Sequence, residues 1–169
     1  MPTAPPAPVL VRPAVAADLP AIAAVYDHQV LNGVATFDLE PQGTAYWERR
    51  LAGLGPGEHL LVAEEGGVVL GYAASSPYRP RPAYARTREV SVHLDPAAQG
   101  RGVGTTLYAH LLDLLRADGI HTALAVVALP NPASRALHRR CGFEPVGVLR
   151  EVGRKHDRWI DTELWQRQF

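Results

Sequence analysis

The run Gln99-Gly100-Arg101-Gly102-Val103-Gly104 constrains this chain more than any other stretch, because it lies between an apolar strand candidate and the best helix candidate in the sequence. Three alternating glycines leave backbone N–H groups uncovered by side chains. The helix that follows adds its unpaired first-turn donors and the positive end of its dipole. Together they form a cradle for a pyrophosphate.

The elements around that loop follow from periodicity and punctuation. Val9 to Val11 is a short strand candidate. Asp18 stands as the N-cap of a helix in which Leu19, Ile22, Ala23, Tyr26 and Val30 recur at helical spacing, and Asn32-Gly33 ends it. Val34 to Asp38 reads as extended. Thr44 to Leu54 is a second helix, closed by Gly55-Pro56-Gly57. Leu60 to Glu65 and Val68 to Ala74 flank Gly66-Gly67 as a tight hairpin. Ser76 to Tyr84 holds three prolines and two arginines and is a loop; Thr87 to Leu94 is the strand that Asp95-Pro96 stops. Gly104 to Asp118 carries a core stripe of Leu107, Leu111, Leu114 and Leu115, with Gly119 just past its end. Thr122 to Leu129 is continuously apolar, hence a central strand covered on both faces. Asn131 to Arg140 is a short helix, and Phe143 to Val152 and Ile160 to Gln166 are closing strands. The order β-α-α-β-β-β-α-β-α-β-β is that of one α/β layered domain over 9–169, behind a short arm at 1–8.

Composition narrows the function classes. The chain has 169 residues, and its 17 Lys and Arg balance 17 Asp and Glu, so no charge excess points to nucleic acid or an anionic membrane. The lone Cys141 excludes an internal disulfide framework and a cysteine-based zinc cluster; its expected place is the core. His28, His59, His93, His110, His121 and His156 show no paired spacing with Cys or Asp, so no metal is expected. No apolar run is long enough to span a bilayer, and Met1 to Pro8 lacks the basic and apolar regions of a secretory signal. The expected location is the cytoplasm.

Two common owners of a glycine cradle fail on spacing. A Walker loop needs Lys then Ser or Thr after its last glycine, and Gly104 is followed by Thr105 with no lysine. A dinucleotide fingerprint G-x-G-x-x-G puts Thr105 or Leu107 where the third glycine belongs. What remains is Q-x-x-G-x-G between strand and helix, which resembles the acyl-coenzyme A loop of the GCN5-related N-acetyltransferase superfamily. Downstream, Asn131, Ser134, Leu137, His138 and Gly142-Phe143 match that superfamily in order and spacing, with His138 where many members carry Tyr. The resemblance implies the superfamily's fold: a mixed, mostly antiparallel sheet flanked by helices, with a splayed strand pair for acyl-CoA.

Further stretches resemble the phosphinothricin N-acetyltransferase family: Ala35-Thr36-Phe37-Asp38, Arg79 to Tyr84, Glu89 to Leu94, and Val152-Gly153-Arg154-Lys155 with Trp159-Ile160-Asp161. That family acetylates the α-amino group of glutamate- and methionine-like analogues, such as phosphinothricin, methionine sulfoximine and methionine sulfone. The resemblance runs from about Val11 to the C-terminus. It implies acetyl-CoA as co-substrate, a role in herbicide detoxification, a homodimer, and a Lys155–Trp159 segment that could reach a partner's site.

Site residues follow from the chemistry. An ammonium cannot attack a thioester until it loses a proton, and a positioned carboxylate is a suitable base. Strand parity puts Glu89, Ser91 and His93 on one face of their strand and Val90, Val92 and Leu94 on the other. From Glu89 to the strand end is six residues, roughly 20 Å at strand rise and comparable to an extended pantetheine arm. With the pyrophosphate on Gln99, Gly100, Arg101, Gly102, Val103, Gly104 and Thr105, the thioester reaches Glu89. The resembled family has its catalytic base at that position. Backbone groups of Ser91, Val92, His93 and Leu94 would pair with pantetheine amides as an added strand would. Asn131 and Ser134 complete the cofactor set. His138 is the candidate to protonate the leaving thiolate or orient the amine, against a surface or capping role. Arg79, Arg81 and Tyr84 are a candidate clamp for an acidic substrate, against a solvated basic loop. Phe37 is an apolar wall or a core residue. Acetylation of a protein N-terminus or another amine, and a catalytically silent acyl-CoA-binding module, stand as alternatives. Glu89, His138 and the arginine loop argue against the silent module.

Overall fold

The computed structural model describes residues 8–169. The expected arm falls on 1–7, outside the described residues, apart from the exposed Pro8. The elements are β1 (Leu10–Pro13), α1 (Leu19–Asn32), α2 (Gly43–Ala52), β2 (Leu60–Glu65), β3 (Val68–Pro77), β4 (Thr87–Leu94), α3 (Val103–Ala117), β5 (Thr122–Ala128), α4 (Pro132–Arg140), β6 (Glu144–Lys155) and β7 (Arg158–Gln168). Their order is the one expected from the sequence. The seven strands form one sheet in the order β1-β2-β3-β4-β5-β7-β6. Every pairing is antiparallel except β4 with β5, the two strands that α3 connects.

The β2–β3 part of the sheet is covered on both faces, and strand alternation sorts its side chains between two cores, while β6 is largely exposed. Leu61, Ala63, Ala73 and Val90 pack toward Leu107, Leu111 and Leu115 of α3. Leu60, Val62, Tyr72 and Ala74 pack toward α1 and α2, around Ile22 and Trp47. Burial on both faces explains the unbroken apolar run of β2. No helix among the described residues is long and apolar enough to cross a membrane.

Several local expectations are corrected. Asp18 does not cap α1 through its side chain; its carboxylate accepts from the Val15 N–H at 2.8 Å and pairs with Arg12 at 2.7 Å, inside a preceding 3-10 turn. Val34 to Asp38 is irregular rather than extended, because no strand lies alongside to pair with it. Ser76 and Pro77 belong to β3, paired with Glu89 and Arg88. The stripe of α3 runs through Leu107, Tyr108, Leu111, Leu112 and Leu115; Leu114 is exposed. Finally, β5 is central but not covered throughout: Val126 is 50% exposed, on an otherwise buried strand.

Candidate active site

That exposure marks a fork in the sheet. β4 and β5 pair only through Thr87–Thr122, Arg88–Ala123 and Glu89–Leu124, then part. Beyond Glu89, β4 keeps β3 on its other edge as far as Leu94, and β5 keeps β7 as far as Ala128. The edge of β4 facing β5 therefore presents unpaired backbone groups along Val90 to Leu94, the kind of edge an extended amide chain can join. A cavity of about 470 Å³ opens there, lined by Ser91 to Leu94 on one side and Val126 and Asn131 on the other.

The glycine loop closes the wide end of the fork. Gly100 and Gly102 have φ of 75° and 81°, and a side chain added at either would meet only open space. Gly102 directly precedes α3, and its carbonyl accepts the first helical bond from Thr106 N–H at 3.1 Å. By helix geometry the N–H groups of Val103, Gly104 and Thr105 are left for a ligand, at the positive end of the helix dipole. Gly104 also serves packing. A Cβ there would come within 3.2 Å of Leu137, so the glycine lets α3 approach α4. Gln99, Gly100, Gly102, Gly104 and Thr105 line the cavity. Two residues of the expected loop, and Glu89 on β4, are not among the lining residues. Val103 is buried in the core, and Arg101 pairs with Glu65 at 2.7 Å.

Glu89 occupies the apex, in the last paired position before the strands part, opposite Ser76 on β3 and Leu124 on β5. It is half-buried, and the carboxylate makes no hydrogen bond or ion pair with the described residues. Burial raises its pKa above the ordinary carboxylate value. His93, two positions past Ser91 on the same strand face, stacks on Tyr72 with ring centroids 5.4 Å apart. Burial, with help from Arg50, holds its pKa down to about 4, so it stays neutral where Glu89 ionises.

His138 lines the cavity and is not the surface residue of the alternative reading. It is only 3% exposed, between Tyr108, Phe143 and Trp165. Its Nδ1 lies 2.7 Å from the Ser134 carbonyl, which can only accept, so Nδ1 carries the hydrogen. In the neutral ring Nε2 then accepts from the Tyr108 hydroxyl at 3.1 Å. Burial favours that neutral form. Both ring nitrogens are thus occupied by the protein. Tyr108, also buried and lining the cavity, carries no signal of this role in the sequence, because it sits in an ordinary apolar stripe. Asn131 uses its side-chain oxygen to cap α4, accepting from Ser134 N–H at 3.0 Å, and keeps its NH₂ for a ligand.

The acceptor side is looser. Arg79 and Arg81 are exposed, Arg79 lying over the Tyr78 ring, which in turn meets Tyr84 edge-on at 5.3 Å. Arg79, Arg81 and Tyr84 do not line the cavity. They stand beyond the end of β3, one strand across from Glu89. Phe37 is 39% exposed, which removes its core reading. At the β6–β7 hairpin end Lys155 and His156 bond back to the segment after α1, while Trp159 is 62% exposed. Cys141 is buried, as expected. Among the described residues no cluster of His, Cys, Asp or Glu is arranged to hold a metal.

The chain matches the Acetyltransferase (GNAT) family over residues 22–143. It is 44% identical over 163 residues to a phosphinothricin N-acetyltransferase of Streptomyces coelicolor, covering 94% of this chain and 95% of that one. It is 37% identical over 161 residues to an L-methionine sulfoximine/L-methionine sulfone acetyltransferase of Pseudomonas aeruginosa, covering 92% of each. Among solved structures, a phosphinothricin acetyltransferase from Sinorhizobium meliloti in complex with AcCoA superposes with a TM-score of 0.91 at 41% identity, covering 95% of this chain and 88% of that one. A ribosomal-protein-alanine N-acetyltransferase from Brucella melitensis superposes at 0.92 with 37% identity, covering 95% and 99%. With the family model matched over residues 22–143 and relatives this similar along nearly the whole chain, the chain belongs to the acetyltransferase (GNAT) family.

Proposed function

We propose that this acetyltransferase moves the acetyl group of acetyl-CoA to the α-amino group of a small amino acid analogue of the phosphinothricin and methionine sulfoximine class. The names of its relatives support the class. The single observation that carries the chemistry is Glu89: a half-buried carboxylate with a raised pKa at the apex of a fork that has a helix N-terminus at its mouth.

In this reading the pyrophosphate rests on Gly100, Gly102 and the N–H groups of Val103 to Thr105. The pantetheine pairs with Val90 to Leu94 and the Asn131 NH₂. Glu89 takes a proton from the substrate ammonium, and the neutral amine attacks the thioester carbon. A β4 N–H steadies the oxyanion. The C–S bond then breaks, and the second nitrogen proton ends on the departing sulfur. A thiol of pKa about 8.5 needs little acid assistance. His138 is assigned to holding the Tyr108 hydroxyl rather than to donating a proton. Arg81 and Tyr84 meet the acidic end of the substrate, and Phe37 its apolar part. The exposed apolar residues Val146, Val148, Leu149 and Val152 of β6 support a homodimer. A single reduced thiol fits the cytoplasm.

Following thiol release from acetyl-CoA tests the substrate class. The panel is phosphinothricin, methionine sulfoximine, methionine sulfone, common amino acids and a peptide with a free N-terminus. Turnover is expected with the analogues. Turnover with the peptide alone would replace this reading with protein N-terminal acetylation; the Brucella neighbour is itself named a ribosomal-protein-alanine N-acetyltransferase.

A further inference from the structure

The motif Gly153-Arg154-Lys155 has no part in the mechanism above, yet it holds the least regular segment beside the site. Lys155 is the last residue of β6, before a turn in which His156 and Asp157 both have positive φ. Its side chain does not run to solvent: the residue is 3% exposed. The ammonium donates to the Thr36 carbonyl at 2.8 Å and to the Gln29 carbonyl, in the last turn of α1, at 3.4 Å. Next to it, His156 Nε2 donates to the Gly33 carbonyl at 3.1 Å. Gly153 lies so close to Phe37 that a Cβ would run into the ring. Three hairpin residues thus grip 33–37, a stretch without secondary structure of its own. From the other side, the Tyr26 hydroxyl donates to Asp38 at 2.6 Å and meets the Thr36 hydroxyl at 2.7 Å.

A buried ammonium with no carboxylate partner is a poor source of net stability, because desolvation offsets most of what its hydrogen bonds return. No ion pair joins Lys155 to a described carboxylate. Burial lowers its pKa, and nearby Asp38 only partly opposes this. What such a group does well is fix backbone: its donors reach two carbonyls that no apolar side chain could hold. The carbonyls belong to the segment that brings Gln29 and Ala35 to the cavity wall; Phe37, two residues past Ala35, packs against Gly153 rather than lining that cavity.

We infer that Lys155 is a positioning residue for the acceptor subsite, its ammonium tying the Thr36–Phe37 segment to the β6–β7 hairpin so that Phe37 is held against Gly153. The inference rests on the proposed reading in one respect, that the amine enters beside Phe37. It places specificity control on a hairpin that touches neither Glu89 nor the glycine loop.

Lys155→Met keeps length and removes the donors. Amide hydrogen exchange across 33–38 is expected to rise about tenfold or more, with α3 unchanged, as local opening predicts for a segment that has lost its ties. The amine KM is expected to rise about tenfold, with the acetyl-CoA KM within about twofold, as loss of substrate positioning alone would give. Gly153→Ala moves Phe37 without touching the ammonium and is expected to raise the amine KM in the same selective way. Unchanged exchange across 33–38 in folded Lys155→Met overturns the tether. So does an equal rise in both KM values, or an amine KM unmoved by both substitutions. If the wild-type protein turns over none of the amino acid analogues, the substrate reading fails, and the exchange measurement still decides the tether.

Discussion

The donor side and the acceptor side of this site are built in different ways. Apart from the wall that Val126 and Asn131 supply, the donor side is local. One strand edge, one glycine loop and one helix N-terminus, all within Val90 to Thr105, present backbone groups whose positions follow from torsions and pairing. The acceptor side is assembled from distant segments. Lys155 reaches carbonyls 119 and 126 residues away, and Phe37 leans on Gly153. A site made of backbone tolerates change in its side chains. A site made of ties between distant segments can be retuned by altering a tie while the donor side stays fixed.

The largest expected effect lies where the two sides meet. Glu89→Gln should lower kcat by about 10²–10⁴, the usual worth of a general base, while acetyl-CoA binding by calorimetry stays unchanged; weakened binding would move Glu89 to the donor side. Gly102→Val, forced into a left-handed conformation costing about 1–2 kcal/mol and filling the space before the helix, should raise the acetyl-CoA KM about tenfold or more. An amine KM that rose in step would erase the division between the sides.

Tyr108→Phe leaves His138 Nε2 without its donor. Thermal or urea unfolding should show a loss of about 1–3 kcal/mol, the cost of an unsatisfied buried acceptor, with kcat changed only a few-fold. A fall in kcat as large as that of Glu89→Gln would restore the pair to proton transfer. The smallest effect is expected at Arg81→Ala. An exposed guanidinium contributes about 0–1 kcal/mol, so the amine KM should rise a few-fold and the acetyl-CoA KM should not move.

How much of this is legible in the sequence follows the same division. The element order, the glycine loop and the parity of β4 are legible, because each depends on neighbours within a few residues. Glu89 is singled out in the sequence by its distance from the loop along one strand together with the family resemblance. The roles of Lys155 and Gly153 are not legible, since nothing in β6 indicates that its end turns back to α1. His138 stands out in the sequence, but its setting does not. Its polar neighbours Arg135, Arg139 and Arg140 suggest solvent, whereas its own helix face meets Tyr108, Phe143 and Trp165 from other parts of the chain. The exposure of Val126 requires knowing that β4 and β5 part, which no local pattern encodes.

The pH dependence of kcat at saturating acetyl-CoA and amine tests the central assignment most directly. Burial raises the Glu89 pKa, so the base is ionised and active above that value and lost by protonation as pH falls through it. His93, held to about 4, stays neutral across that range and adds no step of its own. The expected result is an acid limb above the ordinary carboxylate range in the wild-type protein that disappears in Glu89→Gln. The same limb persisting in Glu89→Gln would contradict a catalytic carboxylate at the apex of the fork.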